Sequence, residues 1–462
     1  MKTKIIYTSI CIILLFSLSG QAQEKTTVLT KAEKEQAVEK ICQLLNRFYV
    51  FPEVAAKMEK HIKANSAQGA FEKITAPDEF AATMTEELRS ICHDKHLRIF
   101  IGPNPEEQTP EERNMRRIMN RLENKKQNHG LTKVEILDGN VGYMNIQSVM
   151  YSEGAMEVVS SALKFLSNTD ALIFDLRQNN MGGDPGYMDY MFGYFFEKPT
   201  RLSSIYWRER DRTDEHMTSE KIPGKKMVDI PLFVLISHQT FSGAEAFAYD
   251  LQALKRATVI GEVSAGAAHP TATWVVYKDI RIAIPFGRAI NPVTGTNWEG
   301  VGVKPDIEVA ADKALEVAIA KAKNEAEIYH AKIKNQLLAD YNECNSNLES
   351  ASKLFQESNA EAAEALVISS LKKAIEKDIM NQSMINARGY EFLRQDNIRM
   401  AIAIFKGNVL AYPESANAYD SLGEAYLKNG DRELAIANYK KALEIDPNFA
   451  SAIRALKDIQ KE

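Results

Sequence analysis

Cysteine is scarce, with four in 462 residues, and one of these, Cys11, lies inside an N-terminal apolar run. The other three, Cys42, Cys92 and Cys344, are widely spaced and odd in number. That excludes a disulfide framework and a zinc ligand set, and leaves open a single Cys42–Cys92 bridge within a helical stretch. Basic clusters are also lacking. Lys and Arg number 57 against 62 Asp and Glu, for a formal net charge of −5, which argues against nucleic-acid binding. No apolar run reaches the ~20 residues of a comfortable membrane span. Asp94, Glu262 and Asp184 have no metal-like spacing, so no metal is assigned, and no cofactor is called for.

What is present is ordinary for a soluble globular protein, with 45% hydrophobic and 26% charged residues. The length predicts two or three domains. Lys2 and Lys4, the apolar run Ile5–Leu18 and the small-residue end Gly20-Gln21-Ala22 read as a signal peptide over 1–22, cleaved before Gln23. Its removal takes away two positive charges and no acid, from −5 to −7. The expected destination is export, to a periplasm or the exterior, with no membrane span after cleavage.

Residues 23–128 read as a helical domain. Apolar positions recur at helical spacing in Ala37-Val38-Ile41-Leu44-Leu45 and in Phe80-Met84-Leu88-Ile91. Thr75-Ala76-Pro77-Asp78-Glu79 offers a capped helix start, Leu97–Ile101 a short strand, and Pro103–Gln127 an exposed loop plus a helix. Over 129–312 the pattern becomes strand alternating with helix. Strands are expected at Val134–Leu137, Val141–Ile146, Ala171–Leu176, Pro231–Ser237 and Thr258–Gly261. Helices are expected at Met156–Leu166, Pro185–Phe196 and Gly243–Arg256, and a hairpin at Thr273–Tyr277 and Arg281–Pro285. That alternation predicts an α/β core with a parallel sheet covered by helices. Residues 313–380 read as a helical connector. Over 381–462, Gly389, Phe392, Ala401, Phe405 and Pro413 recur 34 residues later as Gly423, Tyr426, Ala435, Tyr439 and Pro447, the tetratricopeptide period.

Two runs carry the chemistry. Phe241-Ser242-Gly243-Ala244-Glu245 follows an apolar strand and opens a helix. That geometry holds the Ser242 hydroxyl at the positive end of a helix dipole, with the Gly243 N–H next to it. Asp175–Gly183 follows another strand and ends in Gly182-Gly183, where backbone N–H groups can approach a substrate closely.

With Asp94-Lys95-His96, His129–Leu137, Gly142-Tyr143, Thr240–Glu245, Gly261–Gly266 and Gly302–Asp306, the segment from about Ala32 to Val309 resembles the tail-specific (C-terminal-processing) and tricorn-core serine peptidases. It looks most similar to the branch of the interphotoreceptor retinoid-binding protein modules. The resemblance implies a crotonase-like β/α peptidase core. It places Ser242 on the nucleophile, His96 on the tricorn branch's general base and Glu299 on the acid that supports that base. Gly182, Gly183 and Gly243 fall on the oxyanion hole. No lysine stands after Gly261, where the tail-specific branch keeps its base and this chain has Ala267. The segment between His96 and Val134 is too short and polar for that branch's PDZ domain. Lys95 stands where the tricorn branch has a serine.

Other readings of the same residues stay open. Ser242 suits a helix cap, and its spacing to Glu245 suits a capping box. His96 suits a structural histidine bonded to Asp94. His269 and His238 are rival bases, and Glu299 suits a solvated turn. The aromatics Tyr187, Tyr190, Phe192, Tyr194, Phe195 and Phe196 suit a core. Two functions follow. The first is an exported serine endopeptidase acting on protein or peptide through a Ser242 acyl-enzyme, with repeats that bind a protein partner. The second is a non-catalytic binding protein for apolar ligands or peptides on the same fold.

Overall fold

The computed structural model describes residues 28–104, 108–180 and 182–461; the signal-peptide reading over 1–22 lies outside them. The chain divides into two compact units, Met1–Ala326 and Glu327–Glu462. Among the described residues no helix is long and apolar enough to cross a membrane.

The first unit begins with α1 (Lys31–Phe48), α2 (Pro52–Ala67) and α3 (Pro77–Cys92). Thr30 and Glu33 start α1 with a reciprocal capping box. The start of α3 differs from expectation. Ala76 occupies the cap and offers no side-chain acceptor; Pro77 and the first-turn acids Asp78 and Glu79 supply the start instead. The three helices close over Ile41, Leu45, Met58, Ile62, Phe80 and Met84, none of them accessible to solvent. Cys42, Cys92 and Cys344 are free thiols. Cys42 sits within this core on α1, while Cys92 ends α3 beside Tyr49, so the Cys42–Cys92 bridge is not formed.

Next come β1 (Arg98–Ile101) and α4 (Pro110–Lys126), a helix that buries none of its residues. The core is then built in order from β2 (Leu131–Leu137), β3 (Val141–Ile146), α5 (Glu153–Phe165), β4 (Ala171–Asp175) and α6 (Pro185–Phe192). It continues with β5 (Ser204–Trp207), β6 (Arg212–Asp214), β7 (Leu232–Ile236), α7 (Gly243–Ala253) and β8 (Thr258–Gly261). It ends with β9 (Thr271–Tyr277), β10 (Ile280–Pro285), β11 (Gly287–Ile290) and β12 (Ile307–Glu308). The main sheet runs β12-β8-β7-β4-β3-β2. Its strands pair in parallel from β12 to β3, and β2 adds antiparallel at the edge. Strands β4 and β7 are buried at every position, which is why they read as unbroken apolar runs.

One face of the sheet, through Ile173, Phe233 and Leu235, receives Ala314, Ala318, Ala322 and Ala326 of α8 (Ala311–Gln356). Small residues at a four-residue spacing let that helix lie close. On the other face Phe174 meets Phe195 and Phe247 edge-on. Helix α6 stops at Phe192, short of the expected Phe196, because the chain turns at Gly193 and so brings Phe195 onto Phe174. Two small sheets flank the core, β1-β10-β9 and β11-β5-β6. The second had no sequence signal, its strands being only three or four residues long.

The second unit contains the rest of α8, then α9 (Ala360–Glu376), α10 (Gln382–Arg394), α11 (Ile398–Ala411), α12 (Ala416–Asn429), α13 (Arg432–Ile445) and α14 (Ala450–Lys461). Its repeat is physical as well as numerical. A Cβ on Gly389 would lie 2.4 Å from the Phe405 ring, and a Cβ on Gly423 would lie 3.0 Å from the Tyr439 ring. In each hairpin a glycine makes room for the aromatic of the next helix.

Candidate active site

The site forms at the C-terminal ends of β4 and β7, where open parallel sheets place their ligands. Two loops are tied together there. Thr240 Oγ1 donates to the Leu176 carbonyl at 2.9 Å, Ser237 Oγ to the Arg177 carbonyl at 2.6 Å, and the Phe241 N–H to the Asn179 carbonyl at 3.0 Å. These bonds hold Gly182-Gly183 against the start of α7. The fit is backbone on backbone. A Cβ on Gly243 would lie 2.4 Å from both N and Cα of Gly183, and one on Gly183 would lie 2.2 Å from Val149 Cγ2. Among the described residues neither the Gly183 nor the Gly243 N–H meets a protein acceptor.

Ser242 has φ 54° and ψ −113°. A non-glycine residue there is strained, and the surrounding structure must hold it. Glu245 does so. Its inaccessible carboxylate accepts from the Ser242 N–H at 2.7 Å, Ser264 Oγ at 2.6 Å, the Gly266 N–H at 2.5 Å and the Ala267 N–H at 3.0 Å. Burial pushes the Glu245 carboxyl upward, against the pull of those donors. Ser242 Oγ lies 3.1 Å from His96 Nε2.

His96, half-buried, packs against the Phe241 ring, 4.8 Å between centroids. Burial lowers its pKa to about 4, outweighing the raising effect of Asp94, so the imidazole is neutral at ordinary pH. Its Nδ1 is buried and has no hydrogen-bond partner. The nearest carboxylate is Asp94, whose Oδ1 lies 3.9 Å from Nδ1 and accepts the His96 backbone N–H at 2.9 Å. Glu299 does not reach His96. Its Oε2 accepts from the Ala268 N–H at 2.6 Å and lies 3.5 Å from His269 Nδ1, while Oε1 has no partner. Burial, then the charge of Asp94, raises the Glu299 pKa to about 7. His269 Nδ1 pairs with Asp94 Oδ2 at 2.7 Å. Of the rival bases, His238 is exposed and pairs with Glu262, while His269 stands one residue further along this chain of groups. Lys95 Nζ is engaged by the Ala265 carbonyl.

Asp94, His269 and Glu299 each present a ligand atom within 4.8 Å of the others, the one such grouping among the described residues that could take a cation. The sequence offered Asp94 as part of the Asp94-Lys95-His96 stretch, as a structural partner for His96 and, lacking metal-like spacing, as no metal ligand; it offered Glu245 only as a cap. The short spacing of Asp94 to His96 was the available signal for the first. Nothing local signals that Glu245 anchors a loop 19 to 22 residues away.

A cleft of about 100 Å³ opens beside Ser242 and Gly243, walled by Met188, Leu202, Ile205, Ala246 and Trp298. The aromatics Tyr187, Phe192, Tyr194 and Phe195 are buried as core.

Residues 140–309 match peptidase family S41, residues 22–134 match the N-terminal domain of that family in eukaryotic IRBP, and residues 416–449 match a tetratricopeptide repeat. Among solved structures, a lipoprotein from Streptococcus agalactiae is 16% identical, with 63% of this chain and 96% of that one covered and a TM-score of 0.40. The photosystem II D1 C-terminal processing protease is 13% identical, with 60% and 94% covered and a TM-score of 0.38. Mature CPAF complexed with lactacystin is 18% identical, with 44% and 55% covered and a TM-score of 0.33. The first unit thus carries a peptidase family S41 domain preceded by that family's N-terminal domain, and a tetratricopeptide repeat follows in the second unit.

Proposed function

We propose that the chain is an exported serine peptidase that cleaves peptide bonds through an acyl-enzyme on Ser242. The observation that carries this is the strained Ser242, at φ 54° on a strand–turn–helix, with Oγ 3.1 Å from the neutral His96. Serine is a poor nucleophile until a base takes its proton, and an imidazole kept neutral, at a pH above its own pKa, is that base. In this reading Ser242 Oγ attacks the scissile carbonyl carbon as its proton passes to His96 Nε2. The oxyanion is received by the N–H groups of Gly183 and Gly243, with Gly182 alongside. His96 then protonates the leaving amine, and water, deprotonated by His96, releases the acyl group.

Asp94 takes the part that resemblance gives to Glu299. It is the carboxylate nearest His96 Nδ1, and the 3.9 Å gap is of the kind that closes when substrate binds. Glu299, raised to about 7, supports the Asp94–His269 pair and not the base directly. The repeats would bring a protein partner or substrate to the peptidase. Export rests on the signal-like residues 1–22.

The test is intact-mass labelling with a small fluorophosphonate from pH 6 to 9. One adduct on the parent, none on Ser242→Ala and slowed labelling of His96→Ala are expected. No adduct on the parent at any pH in that range rejects the peptidase reading, and the protein is then a binding module on this fold.

A further inference from the structure

The cleft beside Ser242 has an unusual far end. Its walls are apolar, but Asp189 on α6, His216 and Asp250 on α7 also line it. Asp189 Oδ2 pairs with His216 Nδ1 at 2.9 Å, while Asp189 Oδ1 is buried and has no hydrogen-bond partner. Asp250 is nearly inaccessible. Its Oδ1 takes Ser203 Oγ at 2.5 Å and Asn291 Nδ2 at 2.9 Å, but its Oδ2 meets only the Ser203 N–H, at 3.3 Å. Acceptors therefore outnumber donors at this end. The volume, about 100 Å³, compares with the ~150 Å³ apolar cavity that admits benzene, so the cleft suits one side chain rather than a large apolar ligand.

We infer that this cleft receives the substrate side chain on the acyl side of the scissile bond, and that it selects an apolar stem with a cationic, hydrogen-bond-donating tip, lysine or arginine. The inference rests on the peptidase reading of Ser242. The stem lies along Met188, Leu202 and Ile205, and the tip meets Asp189 Oδ1. An aliphatic tip leaves that buried oxygen unpaired. An acidic tip faces two carboxylates and is repelled. Asp189 is the specificity-determining residue; Asp250, held by Ser203 and Asn291, shapes the floor.

The test separates binding from chemistry. Short fluorescent peptides identical except for lysine, norleucine or glutamate at the acyl-side position are titrated onto the Ser242→Ala protein and followed by anisotropy. Lysine should bind at least about tenfold tighter than norleucine, which keeps the four-carbon stem without the ammonium, and glutamate weakest, because a site built to bond a polar tip rejects the analogue lacking it. Asp189→Asn should bring lysine and norleucine within about threefold. His216→Gln, which keeps the carboxylate, should retain the lysine preference and guards against a simple loss of fold at Asp189. Norleucine binding as well as lysine, or not one of the three peptides binding, overturns the inference, as does a preference that survives Asp189→Asn. The serine reading is judged separately by the fluorophosphonate adduct. A lysine preference without an adduct keeps the subsite and discards the hydrolysis; an adduct without a preference does the reverse.

Discussion

The two units use glycine in opposite ways. In the first, Gly183 and Gly243 press backbone against backbone, and a Cβ on Gly243 would lie 2.4 Å from Gly183 N. In the second, Gly389 and Gly423 make room for the rings of Phe405 and Tyr439. Main chain tied into neighbouring loops by hydrogen bonds cannot step aside, whereas an aromatic ring at a helix crossing can tilt. In the proposed reading, the contrast separates a place where geometry serves chemistry from one where it serves packing. Polar groups follow the same division. Around Ser242 a single buried carboxylate, Glu245, gathers four donors from two loops. In the repeats, Tyr390 makes its bonds to Ser421 and Glu424, the latter at the helix surface.

The sharpest break would come from the reacting groups. Ser242→Ala should abolish the fluorophosphonate adduct, and His96→Ala should slow labelling by roughly 10²–10⁴, both with the melting transition of the repeats unchanged. Gly243→Ala should follow, because the added methyl forces Gly183 away. A loss of about 10²–10³ in labelling rate is expected from a displaced oxyanion donor, and labelling at the parental rate would show that the backbone contact serves packing alone. Asp94→Asn should slow labelling more than Glu299→Gln does, since only Asp94 approaches His96; equal effects would return Glu299 to the base.

Acid–base behaviour gives a smaller effect. The His96 pKa is lowered from 6.5 to about 4. Its neutral form therefore adds stability that is present above 6.5 and is lost as pH falls through about 4. Glu299, raised from 4.5 to about 7, does the opposite: its contribution is complete below 4.5 and is lost as pH rises through about 7. The two oppose each other between about pH 4.5 and 6.5, so denaturant melts of the parent should be nearly flat there, and Glu299→Gln should uncover the rise in stability with pH that belongs to His96. The smallest effects belong to the repeats. Gly389→Ala should cost about 1–3 kcal/mol by overpacking against Phe405. At Gly423 the looser 3.0 Å approach should leave alanine near neutral, since helix propensity returns up to ~1 kcal/mol. Labelling of Ser242 should be unchanged in both.

Much of the fold was legible because each element is amphipathic or fully apolar on its own. Strands β4 and β7 were read within one or two residues from unbroken apolar runs, and the hairpin of β2 and β3 from the turn at Gly139. The sheet β11-β5-β6 was not legible, since strands this short are defined by their partners. At the site, Ser242 and the paired glycines announced themselves through strand–turn–helix context. The exchange of Asp94 for Glu299 beside His96 did not.

By itself the sequence determined the order of elements, the 34-residue repeat and the identity of the strained serine, because each depends on residues close along the chain. Only the tertiary structure decided which groups meet. His96 reaches Ser242 across 146 residues, and His269 reaches Asp94 across 175. Such meetings are set by how helices and sheets pack, and the local pattern at either end carries no record of its partner.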